Sequence, residues 1–161
     1  MNDDRQTFSV RPARVEDREE MLALFPRLAA FDVPESRIPE HLWVHDAAML
    51  ELWAAGDKDD CLVHVAVDAS ETIVGVAMAT LRPELLSKEP SSHLEAIAVA
   101  EGLSGKGIGG MLLAAVEKDA RSRGAGTMTL HVFATNARAR GFYEGKGYHG
   151  ELMRYIKPLR A

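Results

Sequence analysis

Apolar residues along the chain recur at two spacings, and the changes from one spacing to the other divide it into elements. Phe8-Ser9-Val10-Arg11-Pro12 alternates residue by residue, the pattern of a strand with one buried face. Glu16, Asp17, Glu19 and Glu20 then open a helix, where acidic side chains suit the positive end of the dipole. Met21, Leu24, Phe25 and Leu28 follow at helical spacing and give residues 14–31 an apolar stripe. Pro26 carries no amide hydrogen, so this helix should kink or restart there. Asp32–Ser36 reads as a loop. A second helix runs from Pro39 to Ala55, with proline in its first turn and Gly56 just past its end.

Two apolar runs follow, Leu62–Asp68 and Ile73–Leu81, joined by the turn Ala69-Ser70-Glu71-Thr72 into a hairpin. A polar stretch, Arg82–Ser92, reads as a loop before a third apolar strand, His93–Val99. A glycine-rich segment then leads into a helix with Ile108, Met111, Leu112, Ala115 and Val116 on one face. Arg121 and Arg123 lie in its last turn and Gly124 at its C-terminal cap. Thr127–Phe133 is another strand, Asn136–Gly145 a short helix and Leu152–Lys157 a last strand. This order predicts an α/β fold with a mixed, mostly antiparallel sheet of six to seven strands flanked by helices. The sheet becomes parallel where the crossover helix joins 93–99 to 127–133.

Composition narrows the class. The chain has 161 residues, 47% apolar and 27% charged, which fits one globular domain over residues 1–161 and excludes a disordered or fibrous chain. No apolar run approaches the ~20 residues of a membrane span. The acidic start Met1-Asn2-Asp3-Asp4-Arg5 is unlike a secretory signal, so the expected location is the cytoplasm. The single cysteine, Cys61, excludes an internal disulfide and a cysteine-based zinc site, and its place at the head of a strand reads as a buried thiol. His41 and His45 have the spacing of a metal pair, but Leu42 stands where a zinc-protease motif needs Glu, so no metal is expected.

The net charge of −5 is divided unevenly. Residues 1–100 hold nine Lys and Arg against nineteen Asp and Glu; residues 101–161 hold ten against five. An acidic half beside a basic half suggests a cationic ligand and an anionic one. No basic patch with interleaved aromatics points to nucleic acid.

The segment Ser104-Gly105-Lys106-Gly107-Ile108-Gly109-Gly110 carries the strongest chemical signal. Gly105, Gly107 and Gly110 match the dinucleotide fingerprint by letter, yet the segment follows the fourth strand instead of the first. No acidic residue lies in Thr127–Ala139, where the ribose partner should fall. A Walker A loop needs Ser or Thr after Lys, and Gly107 follows Lys106. Two readings remain: a tight strand-to-helix turn, or a cradle in which backbone amides, the helix dipole and Lys106 hold an anion such as a diphosphate. Farther on, Asn136 is placed to cap a helix, and Tyr143 lies two turns later on the same face, beside Phe142 as core packing.

Taken together, Leu94-Glu95-Ala96-Ile97-Ala98-Val99, Gly105-Lys106-Gly107-Ile108-Gly109 and Asn136–Tyr148 resemble the GNAT superfamily of acyl-CoA-dependent N-acetyltransferases. The family's loop reads Gln/Arg-x-x-Gly-x-Gly/Ala; Ser104 stands in the first place here, which leaves the glycines intact and affects one side-chain contact to the phosphates. The resemblance implies a central splay between the parallel strands, at Ile97, Ala98 and Val99, with the pantetheine arm of acetyl-CoA lying along them like an added strand. Gly105, Lys106, Gly107, Ile108, Gly109 and Gly110 would cradle the diphosphate, and Asn136 would bond the pantetheine or thioester end. The Ile97 amide, at a strand bulge, would stabilise the oxyanion. Tyr143 would protonate the leaving thiolate, a phenol of pKa ~10 against a thiol of ~8.5. Two residues are open as the base for the attacking amine: His131, five residues before Asn136, and Glu95, entering the bulge.

The expected function is transfer of an acetyl group from acetyl-CoA to a primary amine in a direct ternary complex, without a metal. The acceptor would be a small molecule or peptide, and the acidic early helices, which border the acceptor site in this family, suggest a cationic one. Neither nucleic acid nor a membrane is expected as partner; a homodimer is compatible with the reading. The alternative is a catalytically idle acyl-CoA-binding sensor on the same fold.

Overall fold

The computed structural model describes residues 7–160, which divide after His131 into two compact units. The acidic start Met1–Arg5 lies outside the described residues.

In the first unit, five strands form one sheet in sequence order: β1 (Ser9–Pro12), β2 (Cys61–Val67), β3 (Ile73–Pro83), β4 (Pro90–Val99) and β5 (Thr127–Leu130). β1 through β4 are antiparallel neighbours, and β5 joins β4 in parallel. The expectation of six to seven strands is corrected to five among the described residues. Residues 152–157, expected as a strand, adopt no regular structure. β5 ends three residues earlier than expected, because its ladder with β4 stops at Leu94 opposite Leu130. Conversely, Pro90-Ser91-Ser92, expected in a loop, begins β4, since the backbone there pairs with β3 on one side and, from Ser91, with β5 on the other.

Helices cover both faces of the sheet. α1 (Arg18–Leu24) passes into a 3₁₀ turn at Phe25–Ala29, where Pro26 breaks the α-helical pattern as expected. The second helical stretch divides likewise into a 3₁₀ turn, Pro39–Leu42, and α2 (Val44–Ala54). Arg18 clamps Glu51 through Nε and Nη2, the latter at 2.8 Å, and so ties α1 to α2. On this face Met21, Phe25, Met49 and Leu50 pack on Cys61, Val63, Val65 and Val67 of β2 and Val76 and Met78 of β3. α3 (Ile108–Ser122) covers the other face with Ile108, Leu112, Leu113 and Val116, all buried. Because both faces are covered, every residue of β2 is buried, and its sequence is apolar throughout except for His64.

In the second unit, α4 (Ala137–Gly145) is capped by Asn136, whose side-chain oxygen accepts from the Ala139 amide at 3.1 Å. Beyond it, Leu152, Met153, Tyr155, Ile156 and Leu159 are all exposed.

Candidate active site

β4 is the element on which the candidate chemistry gathers, because two irregularities shape it. One is a bulge. Met78 of β3 faces Ala96, but the next residue, Ala79, faces Leu94, so Glu95 is an extra residue without an opposite number. The other is the end of the β5 ladder at Leu94, which leaves β4 from Glu95 to Val99 without a strand partner on that side among the described residues. The expected splay is therefore present.

The register determines which backbone groups face the opening. Ala100 N–H donates to Val74 O at 2.8 Å, so in antiparallel alternation Ala98 and Ala96 are the residues bonded to β3. Ile97 and Val99, the residues between, turn their amides and carbonyls away from β3 toward the open side. Arg27 Nε, which donates to Val99 O at 3.3 Å, bears this out. Ile97, assigned above to the oxyanion, thus has its N–H directed into the cleft, two residues past the bulge.

Past β4, the chain turns through Gly102, Gly105 and Gly107, each with φ near +80°, into α3. Gly107 is the N-cap residue, and the first helical bond runs from Met111 N–H to its carbonyl at 3.1 Å. The amides of Ile108, Gly109 and Gly110 accordingly have no acceptor within the helix. No acidic side chain occupies the first turn, so the positive end of the dipole is uncompensated. A Cβ at Gly105 or Gly107 would meet nothing within 4 Å, so the turn is open above these glycines. Residues 97–99 and 105–110 thus present a row of outward amides and an open, positively polarised turn, and they fit a diphosphate with an extended amide-bearing arm.

The two candidate bases lie on one face, around His93. Glu95 is part-buried, and its Oε1 accepts from Thr80 Oγ1 at 2.6 Å, with Arg82 Nη1 at 3.8 Å. His131 is exposed just past β5 and meets the His93 ring edge-on, with centroids 4.7 Å apart. Burial, reinforced by Arg82, pushes His93 down to about 4, so it is neutral at pH 7, with Nδ1 2.7 Å from Thr129 Oγ1. Asp46, in the first turn of α2, is pushed up to about 7 by burial and by the charge of Glu95. Sequence reasoning missed Thr80, His93 and Asp46. Only the bulge and the packing of α2 give them a place near Glu95, and no local pattern marks them.

Asn136 and Tyr143 belong to the second unit. The side-chain oxygen of Asn136 serves the helix cap. Tyr143 meets Phe142 and Tyr148 edge-on at 5.1 and 5.8 Å, and burial pushes its phenol up to about 12, which keeps it protonated across the working pH range. Cys61 is buried, and burial raises its thiol to about 11, which leaves little thiolate for nucleophilic chemistry. His41 and His45 are exposed in different elements. Among the described residues no group of three or more His, Cys, Asp or Glu is placed to hold a metal ion, and no helix is long and apolar enough to cross a membrane.

Comparison with known proteins agrees with this geometry. The model of the acetyltransferase (GNAT) family matches residues 25–148. The fold is similar to the aminoglycoside antibiotic 6'-N-acetyltransferase AAC(6')-Ih from Acinetobacter baumannii, at 18% identity and TM-score 0.72, covering 96% of this chain and 100% of that one. It is similar too to glucosamine-6-phosphate N-acetyltransferase from Arabidopsis thaliana, at 20% identity and TM-score 0.67, covering 96% and 99%. AAC(6')-Iy, solved with a bisubstrate analogue (CoA-S-monomethyl-acetylneamine), gives 20% identity and TM-score 0.73 over 96% and 99%. At these identities the likeness is one of fold. No curated protein sequence matches.

Proposed function

Because the chain belongs to the acetyltransferase (GNAT) family and is an acyltransferase, we propose that it transfers an acetyl group from acetyl-CoA to a primary amine within one ternary complex. The observation that carries this reading is the half-open β4, with its bulge at Glu95, its outward Ile97 and Val99 amides, and the glycine turn into α3.

Acetyl-CoA supplies an activated thioester carbonyl. The Ile97 amide donates to the oxygen of that carbonyl as charge builds on it, from a backbone position that needs no reorganisation. Glu95 takes the proton of the acceptor ammonium, directly or through a water. Glu95 is favoured over His131 for this role because it stands at the bulge, two residues from that amide. Tyr143 gives its proton to the departing sulfur; a phenol near 12 is a weak acid for this, so the transfer runs with C–S cleavage instead of before it. Residues 105–110 hold the diphosphate, and the Asn136 side-chain amide, whose oxygen is committed to the cap, has its N–H groups for the pantetheine arm. The acidic first hundred residues, which include α1 and α2, favour a cationic acceptor. The aminoglycosides and the amino-sugar phosphate in the names of similar structures share a primary amine, though only the aminoglycosides are cationic overall.

Free-thiol release from acetyl-CoA, measured with polyamines, aminoglycosides, basic peptides and neutral amines, tests the proposal. Acceptor-dependent release is expected, strongest with the cationic amines at low salt. Gly107→Glu, which places a bulky like charge at a left-handed position, should abolish both release and the calorimetric heat of coenzyme A binding. Binding without release for any amine would instead support the idle acyl-CoA sensor, and no binding would sink both readings.

A further inference from the structure

Glu95 is held by one oxygen. Thr80 Oγ1 and Arg82 Nη1 both approach Oε1, and Oε2 has no hydrogen-bond partner among the described residues. A threonine hydroxyl has one proton, and here it lies on the short O–H···O contact to the carboxylate. Thr80 is itself fixed. It is 4% exposed, its backbone sits in a central strand opposite Cys61 and His93, and its carbonyl accepts from Ser92 Oγ at 3.1 Å. Its β-branched side chain is stiff about χ1. A glutamate left to itself has three torsions and loses their rotamer freedom when it is ordered; one anchored by a rigid hydroxyl has met much of that loss before the acceptor arrives.

We infer that Thr80 is a positioning residue for acetyl transfer: by holding Oε1 it fixes the Glu95 carboxylate in the rotamer that presents Oε2 to the acceptor nitrogen or its relaying water. The inference rests on Glu95 acting as the base. It adds a residue outside the three motifs that carry the family resemblance, and it explains why a threonine stands where the apolar face of β3 would otherwise continue from Val76 and Met78. The bulge makes the contact available, because the unpaired residue is the one whose side chain reaches Thr80.

A double-mutant cycle in the enzyme, with acetyl-CoA varied at saturating acceptor, tests this with Thr80→Val, Thr80→Ser, Glu95→Gln and the pair Thr80→Val with Glu95→Gln. Thr80→Val keeps the shape and removes the donor. It should lower kcat about tenfold or more, the scale expected of a misplaced catalytic group, with KM for acetyl-CoA unchanged. Thr80→Ser should restore most of the rate, and in the Glu95→Gln background Thr80→Val should have no further effect. A purely structural threonine would give effects that add to Glu95→Gln, or a serine variant as poor as the valine, and either result overturns the inference. If Thr80→Val does not fold, Thr80→Cys replaces it with the same expectation, its thiol being a weak donor. A Glu95→Gln enzyme with normal kcat would remove the base assignment itself; a Glu95→Gln collapse beside a silent Thr80→Val would remove only the role of Thr80.

Discussion

Asp46 is a carboxyl whose behaviour comes from its surroundings. Burial and Glu95 raise it from 3.8 to about 7, so between these values the folded protein holds a proton that the unfolded chain has released. The resulting stabilisation is complete below about pH 4 and is lost as pH rises through about 7, amounting to at most about 4 kcal/mol. His93 acts in the opposite sense: with its folded value down near 4, its contribution is present above about 6.5 and is lost as pH falls. Comparing wild type with Asp46→Asn separates the two, since His93 is common to both. In urea unfolding, Asp46→Asn should gain stability relative to wild type between pH 5 and pH 8; a difference that stays constant over that range would mean that Asp46 titrates normally. Neither residue was legible beforehand. Glu95, His131 and the loop glycines could be picked out because each lies within a recognisable local string. Asp46, Thr80 and His93 matter only through what the fold sets against them.

Among the elements, β3 and α3 come close together at Gly75. A Cβ there would lie 2.9 Å from Leu112 Cδ1, 3.2 Å from Ile108 Cγ2 and 3.3 Å from the Ala98 carbonyl. The glycine is needed for closeness, and it lets α3 sit where its first turn follows directly from the glycine-rich loop. Gly75→Val should therefore destabilise the protein by about 2–3 kcal/mol in denaturant unfolding, through overpacking against a backbone carbonyl that cannot yield. A loss under ~0.5 kcal/mol would show that the α3 interface adjusts. Most element types were readable because periodicity is a local property: the kink at Pro26, the hairpin and the crossover helix were all legible in the sequence. Segment 152–157 marks the limit. Its apolar and aromatic residues are compatible with a strand, but a strand exists only where a neighbour offers it a ladder, and a stretch of sequence cannot state whether one does. The early end of β5 and the early start of β4 have the same origin.

For the whole molecule, the acidic and basic halves fall on different elements: α1 and α2 within the first, the glycine turn, α3 and α4 within the second. This division, legible in the sequence, supports the proposed pairing of an anionic donor with a cationic acceptor. What no count of residues could reveal is that the parallel ladder is four rungs long, Ser91–Leu94 with Thr127–Leu130. Such a sheet resembles a zip left half undone, which the proposed donor would fasten further by lying along β4. The consequence is an odd–even signature in hydrogen–deuterium exchange. On addition of coenzyme A, the Ile97 and Val99 amides should slow, while Ala96 and Ala98, already secured to β3, should hardly change. Uniform slowing along all four would mean that the ligand merely stiffens the strand without becoming part of its weave.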